Sequence, residues 1–491
     1  MDATKRLPFG FAKRNGVILA EEGDAPAILF KDGLTVNVLA EVQRFAGREL
    51  TFHQVDASTF DQRLSLSYQN DSDEAMQMIE DLGDDMDLGR IIDALPETGD
   101  LLEQEGDAPI IKLINSLLTE AIKVEASDIH VETYETRLVV RFRVDGVLQE
   151  VVSPRRALAP LLVSRIKVMA RLDIAEKRLP QDGRIPVRVG GKEVDVRVST
   201  IPASYGERVV MRLLDKQAGR RDLSQLGMNA TDMQSMTTLV NKPHGIILVT
   251  GPTGSGKSTT LYACLDRLND HSRNILTVED PIEYHVEGIG QTQVNIKADM
   301  TFAKGLRAIL RQDPDVVMVG EIRDYETADT SVQASLTGHL VLSTIHTNTA
   351  LGALTRLENM GVQPYLLSNS IIGLVAQRLV RLLCLSCRES YIADEYECDF
   401  LNVSKHSPPT LYRAVGCDEC AQAGYRGRMG IYEVVVIDDE LRRMIHSGVS
   451  ELEIEKYART RTTGIRDDGR DKILAGMTSV DEVLSRVARE D

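Results

Sequence analysis

The stretch Gly251-Pro252-Thr253-Gly254-Ser255-Gly256-Lys257-Ser258-Thr259 fills the pattern G-x-x-x-x-G-K-[ST], and the apolar run Ile246-Ile247-Leu248-Val249 stands immediately before it. That order predicts a strand feeding a glycine-rich turn into a helix, and it leaves fewer folds open than any other feature of the chain. Glycines at 251, 254 and 256 let backbone N–H groups turn inward around β- and γ-phosphates, at the positive start of a helix that begins near Ser258. Lys257 adds a point charge, and the Ser258 hydroxyl can hold Mg²⁺. A chance match in a chain of this length is on the order of one in fifty. Residues 251 to 259 are therefore read as a triphosphate site.

From about residue 224 the order is strand, phosphate loop, helix, strand, helix, strand, which predicts a parallel sheet with helices on both faces. Ligands of such sheets gather at the carboxyl ends of strands, and that rule sorts the acids. Glu279-Asp-Pro-Ile-Glu283 follows Ile275–Val278, and Gly320-Glu321 follows Val316–Val319, so both groups leave strands at the phosphate end. Asp315 stands at the start of its strand, about 15 Å away at 3.3 Å per residue, which favours Glu321 as the acid on the metal or water. The strand Leu340–Ser343 ends in Thr344-Ile-His346-Thr-Asn348, and His346 reaches the same edge as a candidate γ-phosphate sensor. His339, at that strand's start, reads as structural. Arg307 and Arg311 are four apart on one predicted helix face and suit an anionic cleft or a subunit edge.

The 491 residues exceed one hydrophobic core and predict several domains. Residues 1–69 read as a small α/β docking module with no chemistry of their own. Residues 70–107 hold fourteen Asp or Glu against Arg90 alone, which is −13 of the chain's net −17, and predict a solvated linker. In 108–217, Ile110, Leu113, Ile114, Leu117 and Leu118 recur at helical spacing, and two hairpins follow on either side of a second helix, an α+β domain. Arg197, on the polar face of one of its strands, and Arg212 would be ordinary surface charges alone. A ring motor needs cations from outside the phosphate loop, which gives them a second reading. No apolar run approaches the roughly 18 residues that span a bilayer, and the start leads into no signal-peptide core, which predicts a cytoplasmic protein. Cys384-x-x-Cys387 and Cys417-x-x-Cys420 can place four thiolates around one structural zinc within about 381–424; four sulfurs leave no open position for catalysis.

The runs Gly251–Thr259, Glu279–Tyr284, Gly320–Asp324 and Thr337–Asn348 resemble the Walker A, Asp box, Walker B and His box of secretion-superfamily ATPases. The opening Leu7-Pro-Phe-Gly-Phe-Ala-Lys-Arg14, the segment Leu179–Arg184 and the cysteine quartet narrow the resemblance to the type II secretion assembly ATPases. The resemblance implies a RecA-like ATPase core over 224–491, a PAS-like α+β domain before it, and a hexameric ring hydrolysing ATP with Mg²⁺ to drive pseudopilus assembly. Carried over residue by residue, it makes Glu283 the group that activates water and Glu321 the acid on Mg²⁺ or water. Glu279 joins the nucleotide ligands, and Arg197, Arg212, Arg307, Arg311, Arg323 and Arg428 become nucleotide or subunit-edge arginines. It also implies docking of the first domain on the cytoplasmic part of the L component of the inner-membrane platform, with membrane contact only through such partners. A type IV pilus extension ATPase shares the core motifs and cysteine pairs, but the N-terminal opening argues against it. A nucleic-acid translocase is disfavoured by 4% aromatic residues, no Trp and no basic, aromatic-rich stretch. A nucleotide-binding scaffold that never cycles is the third alternative.

Overall fold

Period-two alternation over 128–215 and near-continuous apolar runs over 245–345 direct the two parts of the chain into different kinds of sheet. In the computed structural model the chain divides into two compact units, Met1–Gln217 and Ala218–Asp491. The structure describes residues 108–189, 192–215 and 222–487, together with most of 7–64; the acidic stretch 70–107 lies outside the described residues.

The first unit begins with β1 (Val17–Glu22), β2 (Ala25–Phe30) and β3 (Thr51–Gln54), ordered β1-β2-β3. β2 and β3 are parallel, so the chain must cross over between them, and the helix Val36–Ala46 makes that crossing. Val17, Ile18, Ile28, Leu29, Val42 and Phe60 form its core, joined by Val168 and Ile174. A six-stranded antiparallel sheet follows, built of β4 (Asp128–Thr133), β5 (Leu138–Val144), β6 (Val147–Val152), β7 (Gln181–Val189), β8 (Lys192–Ala203) and β9 (Gly206–Asp215) in the order β6-β5-β4-β9-β8-β7. Asp145 and Gly146 both take positive φ, 49° and 83°, the turn that matches the twist of a tight hairpin. Helices Ala108–Lys123 and Ala159–Met169 cover the apolar face, where Leu113, Leu117 and Ile166 meet Ile129, Phe142, Val196 and Met211. The hairpin of β8 and β9 escapes the sequence reading because Ser204-Tyr205-Gly206 lacks the Asn-Gly or Asp-Gly signature.

The second unit holds β10 (Gly245–Thr250), β11 (Ile275–Glu279), β12 (Ile289–Gln293), β13 (Val316–Val319), β14 (Leu340–Ile345), β15 (Ile371–Leu383), the small pair β16 (Glu389–Ile392) and β17 (Thr410–Arg413), and β18 (Tyr425–Val436). The main sheet runs β12-β11-β13-β14-β10-β15-β18, parallel except for β18. Every residue of β10, β13 and β14 is buried, as strands covered on both faces require. Ile247 and Val249 face the helices Ala230–Val240 and Lys257–Leu268, while Ile246 and Leu248 face Tyr325–Leu336 and Gly352–Asn359. The antiparallel edge strand arises because 384–424 fold as an insertion that returns the chain where it left: Cys384 N donates to Gly424 O at 3.0 Å. No helix among the described residues is long and apolar enough to cross a membrane.

Candidate active site and cysteine cluster

The phosphate loop joins β10 to the helix Lys257–Leu268, whose first N–H groups have no partner one turn earlier and aim at the loop. Gly251, Gly254 and Gly256 take φ of 144°, 79° and 89°. A Cβ on Gly251 would stand 2.4 Å from Gln377 O, so at that position both the conformation and the space exclude a side chain. Pro252, Thr253, Gly254 and Ser258 are exposed and Thr259 is half-buried, while the buried Ser255 Oγ makes no hydrogen bond with the described residues. A backbone cradle, an orphaned hydroxyl and a helix start fit a polyphosphate with its magnesium. The Lys257 ammonium donates to Gly251 O at 2.8 Å and Pro252 O at 3.0 Å. Burial pulls its pKa down to about 8, with Glu321 opposing and Arg378 assisting. The Glu321 carboxylate therefore shares an electrostatic environment with the loop.

Glu321 follows β13 in a backbone held on both sides. Gly320 N donates to Val278 O at 2.8 Å, Ile322 N to Thr344 O at 2.9 Å, and Thr344 Oγ1 to Gly320 O at 2.7 Å. One Glu321 oxygen accepts from Arg323, and the other lies 3.3 Å from His346 Nε2. Burial pushes this carboxyl up, but Arg323 and His346 more than cancel it and hold it below the usual range. Residues 25 apart in sequence meet because β13 and β14 are neighbours. Thr250, ending β10, ties in the third strand: its Oγ1 accepts from Thr347 N at 2.9 Å.

Glu283 lies half-buried in the loop after β11. Glu279 differs from the expected place among nucleotide ligands. It closes β11 with 3% exposure, accepting from Tyr262 Oη, from Thr277 Oγ1 at 2.6 Å and from Gln291 Nε2 at 3.1 Å. That bond set anchors the helix after the phosphate loop to β11 and β12, and burial together with the Glu279 charge raises the Tyr262 hydroxyl's pKa. Arg307 pairs with Glu326 at 2.6 Å. The helix Phe302–Ile309 ends before Arg311, which lies exposed in the following turn rather than on the helix face, since the chain turns there to enter β13. Arg428 is exposed on β18, opposite Arg381. His339 Nδ1 lies 2.8 Å from Ala334 O at the far end of β14, and Asp315 accepts from Asn274 N at 2.7 Å, both away from the loop.

In the first unit Arg197 and Arg212 are direct register partners on β8 and β9. Arg212 Nε donates to Asp128 Oδ1 at 2.9 Å, and Asp128 also lies 3.6 Å from Arg143. Arg141, at 2.6 Å, and Arg208, at 2.5 Å, share Glu132 on the same face. Charges thus alternate across the polar face of this sheet.

The four cysteines converge. All four sulfurs lie within 4.8 Å of one another, with Cys384–Cys417 at 3.9 Å, Cys387–Cys420 at 3.8 Å and Cys417–Cys420 at 3.7 Å. Four thiolates about 2.3 Å from one zinc would stand about 3.8 Å apart, so the set fits that ion. Gly416 N points at Cys387 Sγ at 3.4 Å and Gly424 N at Cys420 Sγ at 3.2 Å, the donors that thiolates require.

Sequence reasoning missed Gln377 and Arg378, which β15 places against the phosphate loop and the His346 loop. Their signal is in plain view: two adjacent polar residues inside Ile371-Ile-Gly-Leu-Val-Ala-Gln-Arg-Leu-Val-Arg-Leu-Leu383.

Comparison with known proteins follows the same lines. The Type II/IV secretion system protein family matches residues 103–485, and the family of the first N-terminal domain of GSPII protein E matches 6–68. Type II secretion system protein E of Pseudomonas aeruginosa is 64% identical over 487 residues, 99% of this chain and 97% of that one. Type II secretion system ATPase E of Vibrio cholerae is 58% identical over 489 residues, again 99% and 97%. The crystal structure of the Legionella pneumophila ATPase DotB shares the fold, with a TM-score of 0.59 at 22% identity over 77% of this chain and 96% of that one. A phosphate loop facing a Glu–His pair, a tetracysteine insertion and an N-terminal domain matched from end to end place this chain in the type II secretion system protein E family of ATPases.

Proposed function

We propose that the chain works as a hexameric motor in which ATP held by Gly251–Thr259 is hydrolysed to drive pseudopilus assembly. Ser258 and Glu321 would hold Mg²⁺, which when bound neutralises charge between the β- and γ-phosphates. Glu283 orients and deprotonates the attacking water, and His346, carried by Glu321, reports the γ-phosphate. Glu279 anchors the site from beneath. Arg197 and Arg212 of the first unit, with Arg307, Arg311, Arg323 and Arg428, meet phosphate charge or line the edge between subunits. Residues 1–69 dock on the cytoplasmic part of the L component, 70–107 form a linker, 108–217 supply the arginines, and 224–491 form the ATPase domain with its zinc unit near 381–424. The protein then works in the cytoplasm and reaches the inner membrane through its partners.

The observation that carries this reading is the Glu321–His346 pair at 3.3 Å, on the same strand edge as the phosphate loop. Lys257→Ala tests it. The variant should lose phosphate release and secretion while keeping its bound zinc; undiminished turnover would refute the site. Pull-down of the L component's cytoplasmic part by full-length protein, lost on deleting 1–69, tests the docking. DNA stimulating turnover many-fold while platform proteins do not would favour a translocase.

A further inference from the structure

Strand β15 is apolar and buried for most of its length, yet it carries Gln377 and Arg378 at 2% and 5% exposure. Burying an amide and a guanidinium costs stability unless each finds partners, and an apolar residue would suit a covered parallel strand better. Their contacts are specific. β10 and β15 pair Thr250 with Ala376, which sets Gln377 beside Gly251. Gln377 Oε1 accepts from Thr260 Oγ1 at 2.7 Å, and its Nε2 and backbone O fill the places that side chains on Gly256 and Gly251 would take, at 2.8 and 2.4 Å. Adjacent residues of a strand face opposite ways, so Arg378 reaches the other layer, where its Nη2 donates to Asn348 O at 2.9 Å. Asn348 stands two residues past His346.

We propose that Gln377 and Arg378 are positioning residues for ATP hydrolysis: Gln377 holds the phosphate loop in its binding turn, and Arg378 holds the His346 loop to the same strand. The inference rests on the reading of those two loops as the hydrolytic site. Their separation across the strand makes the two roles separable. Loss of the Gln377 brace loosens the phosphates' cradle, which nucleotide needs whether or not it reacts. Loss of the Arg378 brace frees a loop that matters once water attacks.

The test uses the full chain, a fluorescent ADP analogue for affinity and phosphate release for kcat, with Lys257→Ala as a reference. Gln377→Leu should weaken ADP binding about tenfold or more, and Thr260→Val, which removes the same bond from its other end, should do likewise. Arg378→Met should keep ADP affinity within about threefold and lower kcat about tenfold or more, with Arg378→Lys recovering part of the rate. Should Gln377→Leu or Arg378→Met fail to fold, Thr260→Val and Arg378→Lys read the same bonds. Variants that only melt earlier, with affinity and kcat unchanged, or that lose both in equal measure, would overturn the proposal. Full turnover by Lys257→Ala would instead overturn the site on which it rests.

Discussion

Asp232 is a poorly compensated buried carboxylate of the ATPase unit, and replacing it with Asn should stabilise the protein at neutral pH. Its side chain, 3% exposed, accepts from Asn229 Nδ2 at 2.7 Å. The neighbouring cations are committed elsewhere. Lys472 donates to Asp468 at 2.5 Å, where Tyr432 N also donates at 2.8 Å, and Arg459 pairs with Glu433 at 2.8 Å. Burial and then the Asp468 charge raise the Asp232 pKa from 3.8 to about 6, with Asn229 and Lys472 pulling the other way and Glu433 adding to the rise. A carboxyl with a raised folded pKa contributes stability that is fully present below pH 3.8 and lost as pH rises through about 6. At 1.36 kcal/mol per unit the loss is about 3 kcal/mol by pH 8, of which roughly half is already present at pH 5. Asp232→Asn keeps the acceptor for Asn229 and removes the charge. Its advantage over the parent should therefore grow by about 1.5 kcal/mol between pH 5 and pH 8, or about 3 to 5 °C in melting temperature. Calorimetric melts of the full chain at several pH values measure this. Parallel pH curves for parent and variant, or a variant less stable at pH 8, would refute the reasoning.

Other consequences follow from the same geometry. Glu321→Gln removes the anion shared by Arg323 and His346 and should lower phosphate release about a hundredfold or more while ADP still binds; turnover near the parent's would assign the metal or water role to another acid. Gly251→Ala puts a Cβ 2.4 Å from Gln377 O at a φ of 144°, so nucleotide affinity should collapse while circular dichroism stays native. The purified chain should hold one zinc by elemental analysis. Cys417→Ser should lose that zinc and raise hydrogen exchange around 384–424, with a metal-free parent counting against the site.

Local sequence was sufficient where the chemistry is contiguous. The phosphate loop, the strand before it and the helix after it are neighbours along the chain, and the glycines announce the turn because no other residue takes those φ values cheaply. The cysteine quartet was legible for a related reason, since each Cys-x-x-Cys pair folds as one turn and thiolates at that spacing have few other uses. Apolar periodicity placed the strands within a few residues. It did less well at ends, as with Arg311, which falls beyond its helix because the chain must turn to enter β13.

Strand order carries the rest, and order is a property of packing. Glu321 meets His346 because β13 lies beside β14, and Gln377 reaches the phosphate loop because β15 lies beside β10; neither adjacency follows from any local pattern. Glu279 reads as a ligand from its place after a strand, yet the partners that enclose it, Tyr262 and Gln291, come from elements that only the folded sheet brings together. By itself the sequence determined that a triphosphate is held and that four thiolates gather. The tertiary structure decided which acids face the phosphates and which lie buried, because a side chain's surroundings depend on strands and helices far away along the chain.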